Sequence, residues 1–267
     1  MSTKKANRYE KLIEEIFLRG HRQGTKAIPF TKIEFESTAK KLQIVLPQNV
    51  PDVIYSFRYR TDFPAAITKT APKGQEWIIR GAGKGKYRFS LVKKVSFAPT
   101  DDYAETKILD ATPGVIVRYA LDDEQALLAK VRFNRLIDIF TGLTCYSLQN
   151  HLRTSVTDIG QVETDEIYVG IDSRGVHYIL PVQAKGGKDR LGRVQIEQDF
   201  ALCKQKFPSL VCKPIAAQFL PDGAIVLMEL EQTGEDIVRV SEKHYRLVPS
   251  DQLSEEELAT YSNRPNN

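Results

Sequence analysis

The stretch Gly160-Gln161-Val162-Glu163-Thr164-Asp165-Glu166-Ile167-Tyr168-Val169-Gly170-Ile171-Asp172, then Ser173-Arg174-Gly175, then Val176-His177-Tyr178-Ile179-Leu180-Pro181-Val182-Gln183-Ala184-Lys185-Gly186-Gly187, holds two apolar runs rich in β-formers around a short turn. Gly175 closes that turn, where a left-handed backbone is wanted, so the stretch reads as a β-hairpin. If Asp172 pairs with Val176, the register carries Asp165 opposite Gln183 and Glu163 opposite Lys185. Residues two apart on a strand share a face, so these four polar side chains are expected to converge at one end of the hairpin. A bulge at the turn would put Glu166 in the place of Asp165, and both remain candidates.

Downstream lie Gly186-Gly187-Lys188-Asp189-Arg190, a helical pattern from about Val194 to Phe207 carrying Gln195 and Gln198, and an apolar strand near Ile215–Leu220. Upstream, Gly114-Val115-Ile116-Val117-Arg118-Tyr119-Ala120-Leu121 reads as a strand. A helix then opens at Asp122-Asp123-Glu124, acids that suit a helix N-terminus, and runs through Leu127, Leu128, Val131, Leu136 and Ile139 to Gly142. Another helix is expected over Cys145 to Arg153. The end of the chain, from Asp251, reads as a short capped helix within a mobile polar tail.

Residues 1–95 hold 20 of the 38 Lys and Arg but only 8 of the 34 Asp and Glu, leaving 18 basic against 26 acidic residues in the remainder. Such segregation suits a polyanion, because neutralising phosphates releases counterions. In this basic half, Tyr9, Leu12, Ile13, Ile16 and Phe17 recur at helical spacing. Thr31 with Glu34 forms a capping box for a second helix to about Leu42, and Asp52–Tyr59 reads as a third, ending near Arg58 and Arg60. Two strands follow, around Trp77 and Phe89, joined by Gly81-Ala82-Gly83-Lys84-Gly85-Lys86. This glycine run joins strand to strand with no helix after it, so it is not a dinucleotide loop. Three helices and a basic hairpin resemble a winged helix-turn-helix, which implies DNA contacts from Arg58, Arg60, Lys84, Lys86 and Arg88.

An acid on one strand and Gln-x-Lys on its hairpin partner resemble the PD-(D/E)XK nuclease signature, over about residues 143–222. The resemblance implies Asp165 as a ligand of a divalent metal, Gln183 as a second oxygen donor and Lys185 as the catalytic lysine. Glu163 or Glu166 would be additional acids, Glu166 also a metal ligand. Gln195 or Gln198 would support the site, and Lys188, Arg190 and Arg193 would meet phosphate. Two departures stand out: Gln183 takes the usual Glu place, and no Pro precedes Asp165. Hard Mg²⁺ on oxygen ligands, helped by an ammonium, matches the charge that builds up in phosphodiester hydrolysis.

The expected fold is therefore α+β: a winged helix over 1–95, a connection over 96–130, a nuclease core with a mixed sheet over 131–250, and the tail. The expected activity is Mg²⁺-dependent cleavage of double-stranded DNA, of the type II restriction kind, by a homodimer. A repair or junction-resolving nuclease, or a non-enzymatic winged-helix regulator, are the rivals. No apolar run reaches the length of a membrane helix and the start of the chain is charged, so an intracellular, cytoplasmic protein is expected. Three cysteines without close pairing and four scattered histidines argue against a zinc site, and no P-loop is present.

Overall fold

The computed structural model describes residues 8–101, 103–119, 124–187, 189 and 191–264. The fold is α+β, and contacts divide the chain into two compact units. The first joins Met1–Ser96 with Arg153–Glu163 and Gly192–Leu202; the second holds Phe97–Leu152, Thr164–Leu191 and Cys203–Asn267.

The first unit begins with α1 (Arg8–Gly20), β1 (Ala27–Thr31), α2 (Lys32–Lys41) and α3 (Val50–Tyr59), followed by α4 (Ala65–Thr68), β2 (Gln75–Gly81) and β3 (Lys86–Lys93). The stripe read from the sequence of α1 is the buried one, with Leu12, Ile13, Ile16 and Phe17 inward. The capping box of α2 is present: Glu34 N–H donates to Thr31 Oγ1 at 3.2 Å, and Thr31 N–H donates to Glu34 Oε2 at 2.7 Å. β1 was not among the elements read from the sequence. Only five residues long and interrupted by Pro29, it lacks a strand signal, yet it alternates, with Ile28 and Phe30 buried. It sits at the edge of a three-stranded sheet ordered β1-β3-β2, where a missing N–H is tolerated. Trp77, Ile79 and Phe89 join Ile28 and Phe30 against the helices. The first turns of α8 (Arg193–Lys206) are also tied to this sheet. Arg80 of β2 makes a bidentate pair with Glu197 at 2.8 and 2.6 Å, and Arg193 Nη1 donates to the Lys93 carbonyl at 2.9 Å.

The second unit carries β4 (Glu105–Leu109), α5 (Gly114–Tyr119), α6 (Glu124–Phe133) and α7 (Leu136–Thr141). The strands β5 (Thr144–Val156), β6 (Gly160–Ile171), β7 (His177–Lys185), β8 (Val211–Cys212), β9 (Ile215–Phe219), β10 (Ile225–Thr233) and β11 (Asp236–Val248) follow, then α9 (Glu255–Ser262). Among the described residues the strands make an eight-stranded sheet ordered β4-β11-β10-β9-β7-β6-β5, with β8 beside β7. It is mixed: β4 runs parallel to β11, and β7 parallel to β9 and β8, while the other reported ladders are antiparallel. Leu127, Leu128 and Val131 of α6 and Leu136 and Ile137 of α7 cover one face, over Leu180, Val182, Ile215, Ala217 and Leu227.

Three expectations for this unit are corrected. Residues 114–119 form the helix α5 where a strand was read. β-Propensity expresses packing on a pleated, half-buried surface, and no sheet slot receives this segment; instead the Pro113 carbonyl accepts from Ile116 and Val117 and starts a turn. Residues 145–153 are strand, because Gly142, left-handed at φ 68°, ends α7 and sends the chain along the edge of β6. The single long helix expected to run to Gly142 is two, broken where Arg135 turns left-handed at φ 49°. α9, read as a short capped helix, is tied to β4. Lys107 N–H donates to the Tyr261 hydroxyl at 3.0 Å, and its Nζ meets Glu257 at 2.6 Å.

Candidate functional site

The hairpin of β6 and β7 has the register read from the sequence. Asp172 N–H donates to the Val176 carbonyl at 3.1 Å, and the ladder runs from Ile171 opposite His177 to Glu166 opposite Val182. β7 then continues beside β9, with Gln183 opposite Ala216 and Lys185 opposite Gln218. Past Glu166, the Asp165 side chain takes a place in the pairing: its Oδ2 accepts the Ala184 N–H at 2.8 Å. The carboxylate is therefore anchored on β7 between Gln183 and Lys185. Gln183 is buried, at 2% exposure. Lys185 is mostly enclosed, and its Nζ lies 3.2 Å from Glu124 Oε1.

Glu124 was missed. It opens α6, and the acids of that turn were explained by the helix dipole alone. It stands 61 residues from Lys185, and nothing in local spacing could have joined them. Asp122 and Asp123 lie outside the described residues.

Glu166 is placed apart from Asp165. It sits two residues from Tyr168, whose ring is in the core beneath α6, so alternation turns its side chain to that same face of β6, away from Asp165. There it is fully buried, paired with Arg132 Nε at 2.9 Å and accepting from Ser147 Oγ at 2.5 Å. Burial raises the pKa of the neighbouring Tyr168 phenol, and the Glu166 carboxylate raises it further. Glu163, in the first unit, pairs with Arg153 at 3.1 Å, and Lys185, in the second, with Glu124 at 3.2 Å.

The side chains read as DNA contacts divide. Lys84, Lys86 and Arg88 are exposed on the β2–β3 hairpin, as is Arg60 at the end of α3. The Arg60 guanidinium lies 5.4 Å over the ring of Tyr55, itself 41% exposed. Arg58 is turned inward: its guanidinium lies 4.9 Å over the Tyr59 ring, and Nε and Nη2 are buried without a hydrogen-bond partner among the described residues. Gln195 is spent at the start of α8, accepting the Gly192 N–H at 3.1 Å, and Gln198 accepts the Tyr59 hydroxyl at 2.9 Å. Burial pushes the Tyr59 pKa up, against the Arg58 charge. Arg193 is buried against Glu197 and the Lys93 carbonyl, while Lys188 and Arg190 lie outside the described residues.

No group of three His, Cys, Asp or Glu side chains gathers to hold an ion among the described residues. The oxygen donors anchored at the hairpin end are the Asp165 carboxylate and the Gln183 amide, with the Glu124 carboxylate held on Lys185. Cys145 and Cys203 are buried, and burial pushes the Cys145 thiol up to about 11. Among the described residues no helix is long and apolar enough to cross a membrane. Comparison of the chain with protein-family models, with curated proteins and with solved structures gives no match.

Proposed function

We propose that the chain is a Mg²⁺-dependent endonuclease that hydrolyses double-stranded DNA, of the type II restriction kind and acting as a homodimer, with the second unit as a PD-(D/E)XK-like core. One observation carries this reading: the Asp165 carboxylate is anchored on the Ala184 N–H, between Gln183 and Lys185, where the β6–β7 ladder ends. A short acid-and-Gln-x-Lys pattern in sequence is common; an acid whose carboxylate is held on the backbone between that Gln and that Lys supports the reading further.

The donor set fits the ion. Mg²⁺ prefers hard oxygen ligands and is commonly held by one or two carboxylates, with waters and substrate phosphate completing its shell. Asp165 and Gln183 supply such oxygens, and Glu124 is a further acid beside Lys185. The bound ion would polarise the scissile phosphate and lower the pKa of a water. Lys185 brings a localised positive charge for the oxygens of the phosphorane, and its pairing with Glu124 keeps that ammonium in place. Gln183, buried on a strand between two others, would add a neutral oxygen where the PD-(D/E)XK pattern usually has an acid.

The first unit supports a winged-helix reading through its order of elements. β1 lies between α1 and α2, and the sheet order β1-β3-β2 sets the β2–β3 hairpin beside β1, with Thr31 opposite Lys86 at the turn end; α4 is an addition after α3. The exposed lysines of that hairpin and Arg60 are the candidate phosphate contacts.

Nicking of a supercoiled plasmid tests the proposal. Wild type with Mg²⁺ should nick, whereas Asp165→Ala and Lys185→Ala should each lose about 10²–10³-fold or more in rate while retarding DNA as before. Full activity in both variants would refute the site, and retardation by wild type without cleavage would favour a DNA-binding regulator.

A further inference from the structure

α5, Gly114–Tyr119, buries none of its side chains. Val115, Val117 and Tyr119 are 63%, 51% and 72% exposed. On a helix, residues 115 and 119 point to one side and 117 to another, so α5 shows apolar side chains on more than one side, with Arg118 between them. A helix of that kind is ordinarily enclosed by other structure, and so short a one with three β-branched residues in a row has little helical stability of its own.

Beside α5 is an open cleft of about 590 Å³, whose lining includes Leu109, Phe133 and Ile139. These are 48%, 40% and 48% exposed. Asn134, in the cleft wall, accepts the Ala111 N–H at 2.7 Å and donates to Thr112 Oγ1 at 2.9 Å, which fixes the entry to α5 at the rim of the cleft. Charge is sparse: α5 has Arg118, and the cleft has Arg135 paired with Asp138. The six apolar side chains expose on the order of 600 Å², at the upper limit for the surface of a monomer and most of the roughly 800 Å² each partner gives to a standard interface.

We propose that this face receives a second copy of the chain, α5 of each copy entering the cleft of the other about a two-fold axis. An exposed apolar helix and an open cleft with apolar side chains close to it in the chain are two surfaces that can be matched to each other across a symmetric contact. The inference gives a surface to the homodimer proposed above, but stands on exposure and shape and needs no DNA to test.

Sedimentation velocity of the full chain over a hundredfold range of concentration reads it directly. Wild type should pass from monomer to dimer, and Val117→Glu and Ile139→Glu should each weaken the dimer about 100-fold. Both side chains are half exposed in the single chain, so circular dichroism and melting of the monomer should hardly change. A wild type that stays monomeric throughout overturns the proposal, as does a dimer that survives both substitutions. Failure here with DNA cleavage intact would leave the nuclease reading standing.

Discussion

Asp165 and Glu166 are neighbours in the chain and opposite in circumstance. One side chain closes the end of a ladder, the other is fully buried under α6 against Arg132. Replacing Arg132 by Met would strand a buried carboxylate and should destabilise the fold by about 3 kcal/mol, read as a lower urea midpoint. Adding Glu166→Leu should restore most of that loss, because an apolar pair of similar volume avoids the desolvation cost. If Arg132→Met melts like wild type, Glu166 is not held as a charge. The hairpin register was legible because a glycine turn and strict alternation constrain it, and alternation also separates residue 165 from residue 166. Glu124 was not legible: its meeting with Lys185 depends on where α6 packs, which no local pattern encodes.

Among the elements, those that stood out in sequence had either a long apolar period or a cap with its own chemistry. α1, α2 and the β6–β7 hairpin are of that kind. β1, β5 and α5 are not, since their local preferences are weak or contrary and their neighbours decide: β1 gains an edge beside β3, β5 gains one beside β6, and α5 finds no sheet at all. A close approach between elements is testable at Gly81, the last residue of β2. A Cβ there would lie 2.1 Å from the Ile159 carbonyl oxygen, a backbone atom that has no rotamer to escape with. Gly81→Ala should therefore cost about 1–3 kcal/mol and lower the melting temperature by several degrees. An unchanged melting curve would mean that the turn after β5 does not rest on β2.

For the molecule as a whole, the division of charge along the chain bears on affinity more than on fold. Each phosphate neutralised adds about 0.9 to the slope of log affinity against log salt, so replacing both Lys84 and Lys86 by Ala should flatten that slope by nearly two if both touch DNA. No change in slope would remove the β2–β3 hairpin from the contact surface. The excess of positive charge pointed to a division near residue 95, and the compact unit does include Met1–Ser96. It also takes in the turn after β5 and most of α8, because Arg80 and the Lys93 carbonyl are met by Glu197 and Arg193 from a hundred or more residues further on. Composition along a chain cannot show such a return.

The returning segment makes the amino-terminal part a poor candidate for transplantation. A gene fragment ending at codon 96 would encode β2 and β3 without the helix tied to them, leaving the Arg80 guanidinium without the Glu197 carboxylate and the Lys93 carbonyl without the Arg193 donor. The two units are therefore not interchangeable cassettes, and moving the first into another chain would have to carry the Gly192–Leu202 stretch along with it.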